Sequence, residues 1–266
     1  MVKRISFLLF FFTAFAFTAN DRLQFILGFP ARADLITTDN LGNFYLVKND
    51  VLEKYDEKGN LLKTYSNKTF GKIDQVDASN PMKVLLFYRN FSQVIFLDNT
   101  LSLSGEPVSI DALGIHQAPL ICSSFNNGMW IYNPQNFELV RVDQDLRQTQ
   151  STGNIAQVAG VSINPNSLFE YNNHIYLGDP ASGLLVFDVY GTYSKTIPLK
   201  DIPAFQVSND NIVYIQRRQL MSFNMKTLAQ DSLPLPDSTG FSMRIEKERL
   251  YLLGKTRVNL YRAKQE

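Results

Sequence analysis

Leu35-Ile-Thr-Thr-Asp-Asn-Leu-Gly-Asn-Phe-Tyr-Leu-Val47, followed by Val51-Leu-Glu-Lys-Tyr-Asp-Glu-Lys-Gly-Asn-Leu-Leu62, reads as four short strands joined by polar turns. Asp, Asn and Gly tolerate left-handed backbone angles and form tight hairpins, so Asp39–Asn43 and Asp56–Asn60 mark turns between apolar runs. The run Phe44–Val47 is apolar at consecutive positions rather than alternate ones, which predicts cover on both faces of its sheet.

The unit recurs along the chain. Compact apolar strands end at a polar residue in Val51–Asp56, Gln93–Asp98, Glu138–Asp143, Gly183–Asp188, Gln219–Asn224 and Val258–Arg262. These ends lie about 36 to 45 positions apart, a spacing typical of propeller blades or solenoid turns. Before each lies a polar turn and an apolar strand, as in Asn126-Asn-Gly-Met-Trp-Ile-Tyr132 and Asn172-Asn-His-Ile-Tyr-Leu177. With a strand upstream of the turn and another downstream of the polar end, each repeat becomes a four-stranded unit, strands a to d.

On these residues the chain resembles the six-bladed β-propellers of the NHL and TolB-like kind. The resemblance spans nearly the whole chain and is clearest in residues 35–62. It implies an all-β, six-bladed fold and carries no specific activity. The last repeat ends after strand c at Arg257–Tyr261, leaving its outer edge open, and exposed edges invite aggregation. The orphan apolar segment Arg22–Phe29 is expected to supply the missing strand and close the ring.

A basic start at Lys3 and Arg4, an uncharged apolar run Ile5–Phe17 and small residues at Ala14, Ala16 and Ala19 read as a secretory signal peptide over residues 1–19, with one propeller domain over 20–266. The expected location is therefore outside the cytoplasm, periplasmic or associated with the outer membrane, with no transmembrane span once the signal is removed. A single cysteine, Cys122, excludes an intramolecular disulfide, so packing and strand pairing must hold the fold. Loss of Lys3 and Arg4 takes Lys plus Arg from 26 to 24 against 25 acids, near neutrality, which argues against nucleic acid as a partner.

Strand order sorts the loops. The a-to-b and c-to-d turns share one face of the disc, rich in acids such as Asp39, Asp56, Asp98, Asp143 and Asp188. The b-to-c and d-to-a loops share the other, which collects Lys48, Arg89, Arg217, Arg218, Lys255 and Arg257 with Phe91 and Phe137. Arginine and aromatic side chains favour interfaces, so this basic face is the candidate surface for an acidic or amphipathic envelope protein. The recurring aspartates, each in a different blade, are expected to cap turns rather than converge on a metal ion.

No metal-protease, hydrolase-elbow, redox-dithiol or nucleotide-loop motif occurs, and His116 and His174 fall on opposite faces. Asp34, Asp74, Asp77, Gln206 and Arg244 lie on inner strands near the central channel and form the second candidate site, where Asp34 and Asp74 share a repeat position. No cofactor and no resident metal is expected, with Ca²⁺ at the channel mouth as the alternative. The calcium-dependent lactonases and gluconolactonases have a six-bladed fold of this general type, but their metal-ligand motifs are not found here. The leading expectation is a noncatalytic interaction platform; the alternatives are a metal-dependent hydrolase or lactonase at the channel mouth, and a receptor for a sugar or peptide fragment.

Overall fold

The computed structural model describes residues 22–264, so the signal-peptide reading of residues 1–19 lies outside the described residues. Six four-stranded antiparallel sheets form the six blades of a propeller ring. Blade one holds Leu35–Thr38, Phe44–Lys48, Val51–Tyr55 and Leu61–Ser66, from the channel outward, and the next four blades repeat that order.

Burial explains the unbroken apolar runs. Each strand b is covered on both faces because alternate side chains pack against different neighbouring blades. In Val84–Tyr88, Val84, Leu86 and Tyr88 join Tyr45, Val47 and Leu52 of blade one. Leu85 and Phe87 point the other way, against Ile121, Met129 and Ile131 of blade three. One such cluster fills every gap between adjacent blades, so the core is six wedges around a channel rather than one central mass.

The sixth blade joins the two ends of the described chain. Gly240–Glu246, Arg249–Gly254 and Arg257–Ala263 are its inner three strands, and Leu23–Pro30 is its outer one. This outer strand runs antiparallel to the last, with Leu23 opposite Ala263 and Pro30 opposite Arg257. Phe25 meets the Tyr261 ring edge-on at 5.7 Å, and Leu27 and Phe29 pack into the cluster between blades six and one.

The recurring aspartates each organise a turn. Asp56 accepts hydrogen bonds from the Lys58 and Asn60 backbone N–H groups, both at 2.8 Å. Asp98 accepts from Thr100 and Ser102, Asp143 from Asp145 and Arg147, and Asp188 from Tyr190 and Thr192, in the same geometry. At Asp98 the Ser102 and Thr100 donors hold the carboxyl below its ordinary range. At Asp56 partial burial pulls upward, but the Asn60 and Lys58 donors outweigh it and the pKa is again lowered.

A carboxyl lowered by folding contributes stability above its unfolded pKa and loses it as pH falls through its folded pKa. The thermal midpoint should therefore drop as pH falls below about 4, near the ordinary aspartate value. In the Asp56→Asn, Asp98→Asn double variant, which keeps an acceptor oxygen at each turn, that acid-side drop should be shallower. An identical midpoint-against-pH profile for both proteins would refute the assignment.

Candidate functional site

The inner strands enclose a central cavity of about 540 Å³. Asp74, Asp77, Gln206 and Arg244 line it, together with Glu170, Glu246 and the rings of Phe169 and Phe205. Asp34 does not. Its carboxylate turns to Lys48 at 2.8 Å, and that bond, with a further one from the Asn49 backbone, keeps its pKa low.

The five channel residues do not gather at one point. Asp34 and Asp74 precede their inner strands at the mouth shared with the basic face, whereas Asp77 ends its strand towards the turn face. The shared repeat position of Asp34 and Asp74 is real in the backbone: their N–H groups bond the Val47 and Phe87 carbonyls, and their carboxylates accept from Asn49 and Arg89 N–H groups respectively. Among the described residues no group of three or more His, Cys, Asp or Glu side chains is placed to hold a metal ion.

Several polar groups of the channel wall fasten one blade to the next. Gln75 accepts from the Ile121 N–H and Asp77 from the Ser123 N–H, tying blade two to blade three. Gln206 both donates to and accepts from the Ile245 backbone, at 2.7 and 2.8 Å, tying blade five to blade six. Glu170 of blade four takes three donors from blade three: Ser124 Oγ at 2.6 Å, Trp130 Nε1 at 3.0 Å and the Phe125 N–H at 3.2 Å.

Behind Glu170 sits a charge whose burial the sequence does not signal. Arg141 is 3% exposed, donates to Ser124 Oγ, Thr149 Oγ1 and the Phe125 carbonyl, and lies 3.8 Å from the Phe125 ring centre. Its guanidinium pKa is lowered by desolvation, partly offset by Glu170 and Asp143. Cys122 and Trp130 are core residues, and burial pushes the Cys122 thiol up, out of the reactive range.

The basic face has two kinds of cation. Lys48 is bound to Asp34, and Arg257 donates from Nε to Asn259, whose amide reaches Asp237, so both serve the fold. The side chains of Arg89, Arg217 and Arg218 are exposed and make no ion pair or hydrogen bond among the described residues. Lys255, Phe91 and Phe137 are also exposed there, Phe91 by 53%. Arg217 and Arg218 form the tip of a two-residue hairpin between Asn211–Gln216 and Gln219–Asn224, with φ of 50° and 63°. Such angles suit Asn and Gly, and Asn126–Asn127 and Asn172–Asn173 occupy the equivalent conformation elsewhere. Lys247–Glu248, on the turn face, shares the unfavourable geometry.

No family model matches the chain, and no curated protein matches its sequence. Solved structures do match its fold. A streptogramin B lyase superposes with a TM-score of 0.60 at 10% identity, covering 94% of this chain and 90% of that one. Virginiamycin B lyase from Staphylococcus aureus gives 0.59 at 11% identity, over 86% and 80% of the two chains. The WD40 domain of Neurospora crassa Pan2 gives 0.59 at 9%, over 92% and 96%. Two lyases and a WD40 domain thus stand at the same distance, and the likeness is one of fold.

Proposed function

We propose that this protein is an exported, noncatalytic propeller whose basic face docks an acidic protein partner in the bacterial envelope. The observation that carries the reading is the set of exposed arginines Arg89, Arg217 and Arg218, whose side chains have no acceptor among the described residues. Arg217 and Arg218 hold their places in a backbone conformation that disfavours them, and such strain at an exposed tip points to a use outside the fold. Blades two and five lie opposite each other in a six-bladed ring, so a partner touching Arg89 and Arg217–Arg218 together would span the channel mouth.

The hydrolase reading has less support, since Asp34, Asp74 and Asp77 already accept hydrogen bonds from Lys48 or neighbouring backbone N–H groups. Export and NHL- or TolB-like kinship are parts of the same proposal, resting on the leader and the repeat.

The test replaces the strained tip by the residues its backbone prefers. Arg217→Asn with Arg218→Gly should raise stability by about 1 kcal/mol by relieving the left-handed strain. The same variant, and separately Arg89→Glu, should lose the protein that copurifies with the wild type from native envelope fractions, identified by mass. Wild-type levels of that protein on both variants would overturn the proposal.

A further inference from the structure

Besides Arg89 of the basic face, which also reaches the cavity, two charged groups on the channel wall lack a full set of partners among the described residues. Arg244 and Glu246 lie two residues apart on the inner strand Gly240–Glu246, so their side chains share one face, and both line the cavity. Met243 and Ile245, which alternate with them, pack instead with the apolar cluster between blades five and six. The Arg244 side chain makes a single hydrogen bond among the described residues, a long one of 3.5 Å from Nη1 to the Phe205 carbonyl, and none of their carboxylates lies within ion-pair distance. The Glu246 side chain has no hydrogen-bond or ion-pair partner among the described residues.

The other acids facing this stretch are occupied. Asp77 accepts from Ser79 and Ser123, and Glu170 carries its three donors from blade three. Asp77 draws on the Arg244 guanidinium from a distance, yet desolvation is the larger influence and lowers the arginine pKa. Burial likewise raises the Glu246 carboxyl, with Lys247 opposing and Asp39 adding to the shift. A desolvated charge without a partner is unfavourable, and a ligand of opposite charge would recover that loss.

We infer that the channel binds a small zwitterion, a free amino acid or short peptide, with its carboxylate on Arg244, its ammonium on Glu246 and an apolar side chain against Phe169 and Phe205. The cavity, about 540 Å³, has the size of a small-molecule site, and its lining combines apolar residues such as Leu168, Phe169 and Phe205 with polar ones, several of them already bonded between blades. Arg244 presents a planar fork of donors that matches a carboxylate in two-point contact. Arg89 of the basic face also lines the cavity, but neither anchor, Arg244 or Glu246, belongs to that face, so substitutions at these two residues test this site apart from the basic-face proposal.

Calorimetric titration of the wild-type protein with L-phenylalanine and with the dipeptide Phe-Phe tests the site. Saturable binding of one of them is expected, and which one binds distinguishes amino acid from peptide. Phenylalaninamide and N-acetylphenylalanine, or the corresponding dipeptide derivatives, each lack one charge and should bind at least about tenfold more weakly, a loss of 1.4 kcal/mol or more. Arg244→Met and Glu246→Gln should weaken the parent ligand similarly without lowering the thermal midpoint of the ligand-free protein. Absence of binding by both probes, or equal affinity for the charged and singly blocked forms, would overturn the inference even if a variant failed to fold.

Discussion

Deletion of residues 22–30 is expected to abolish the monomeric folded state. The deletion strips the outer strand from blade six, exposes the hydrogen-bonding edge of Arg257–Ala263 and removes Leu27 and Phe29 from the wedge between blades six and one. Full burial of a large apolar side chain contributes about 1.5–3 kcal/mol; Leu27 and Phe29 are partly buried and supply less, and with the strand's backbone bonds at about 1 kcal/mol each the loss is about 5 kcal/mol. That is comparable with the whole stability of an ordinary domain, about 5–15 kcal/mol. The bare edge then offers a pairing template to other copies.

Size-exclusion chromatography should show aggregate or higher oligomer, and denaturant unfolding should lose its single transition. A circular permutant that links residue 264 to residue 22 and opens the chain in the exposed 104–107 loop keeps the strand and should remain a folded monomer. A monomeric deletion variant with the wild-type unfolding midpoint would remove the closing strand from any essential role.

The second large effect is expected at Glu170→Ala, which should cost about 3 kcal/mol, the range for hydrogen bonds to a charged group whose loss leaves donors unpaired. The substitution frees the Trp130 indole N–H, the Ser124 hydroxyl and the Phe125 N–H, and it removes the carboxylate that most offsets the desolvation of buried Arg141. Trp130 is the only tryptophan, so its fluorescence reports this blade junction directly. A red-shifted emission and an earlier chemical midpoint are the expected readings. Glu170→Gln, which can still accept from one or two of the donors, should fall between wild type and alanine. Unchanged emission together with an unchanged midpoint would show that Glu170 does not fasten the blades.

What was readable in the sequence was local in origin. An aspartate that accepts N–H bonds two and four residues ahead writes its turn into a five-residue window, and this is why Asp56, Asp98, Asp143 and Asp188 revealed the repeat. Two-sided burial likewise left its mark as unbroken apolar runs such as Val84–Tyr88. The blade fasteners left none. Glu170 and Trp130 are 40 positions apart, Gln206 and Ile245 39, and nothing around either pair distinguishes it from ordinary surface polarity.

The same limit applies to the site residues. Charge sorting by loop placed Lys48 and Arg257 beside Arg217 and Arg218, but only side-chain geometry separates cations held by Asp34 and Asn259 from cations left open. For the channel, strand order pointed to Arg244 but not to Glu246, because its position beside the Lys247–Glu248 turn reads as one more turn-face acid. Alternation along Gly240–Glu246 was the available signal, since residues 244 and 246 must share a face.

The pairing of Leu23–Pro30 with Arg257–Ala263 also decides how the disc is held. Arg22 and Lys264 meet at a 3.0 Å backbone bond, in the place where the other blades carry a c-to-d turn, so both ends of the described chain leave from the acidic face. A tether, tag or anchor joined at either end therefore orients the molecule like a plate on a stand. The acidic face is turned towards the support, and the exposed arginines look outward.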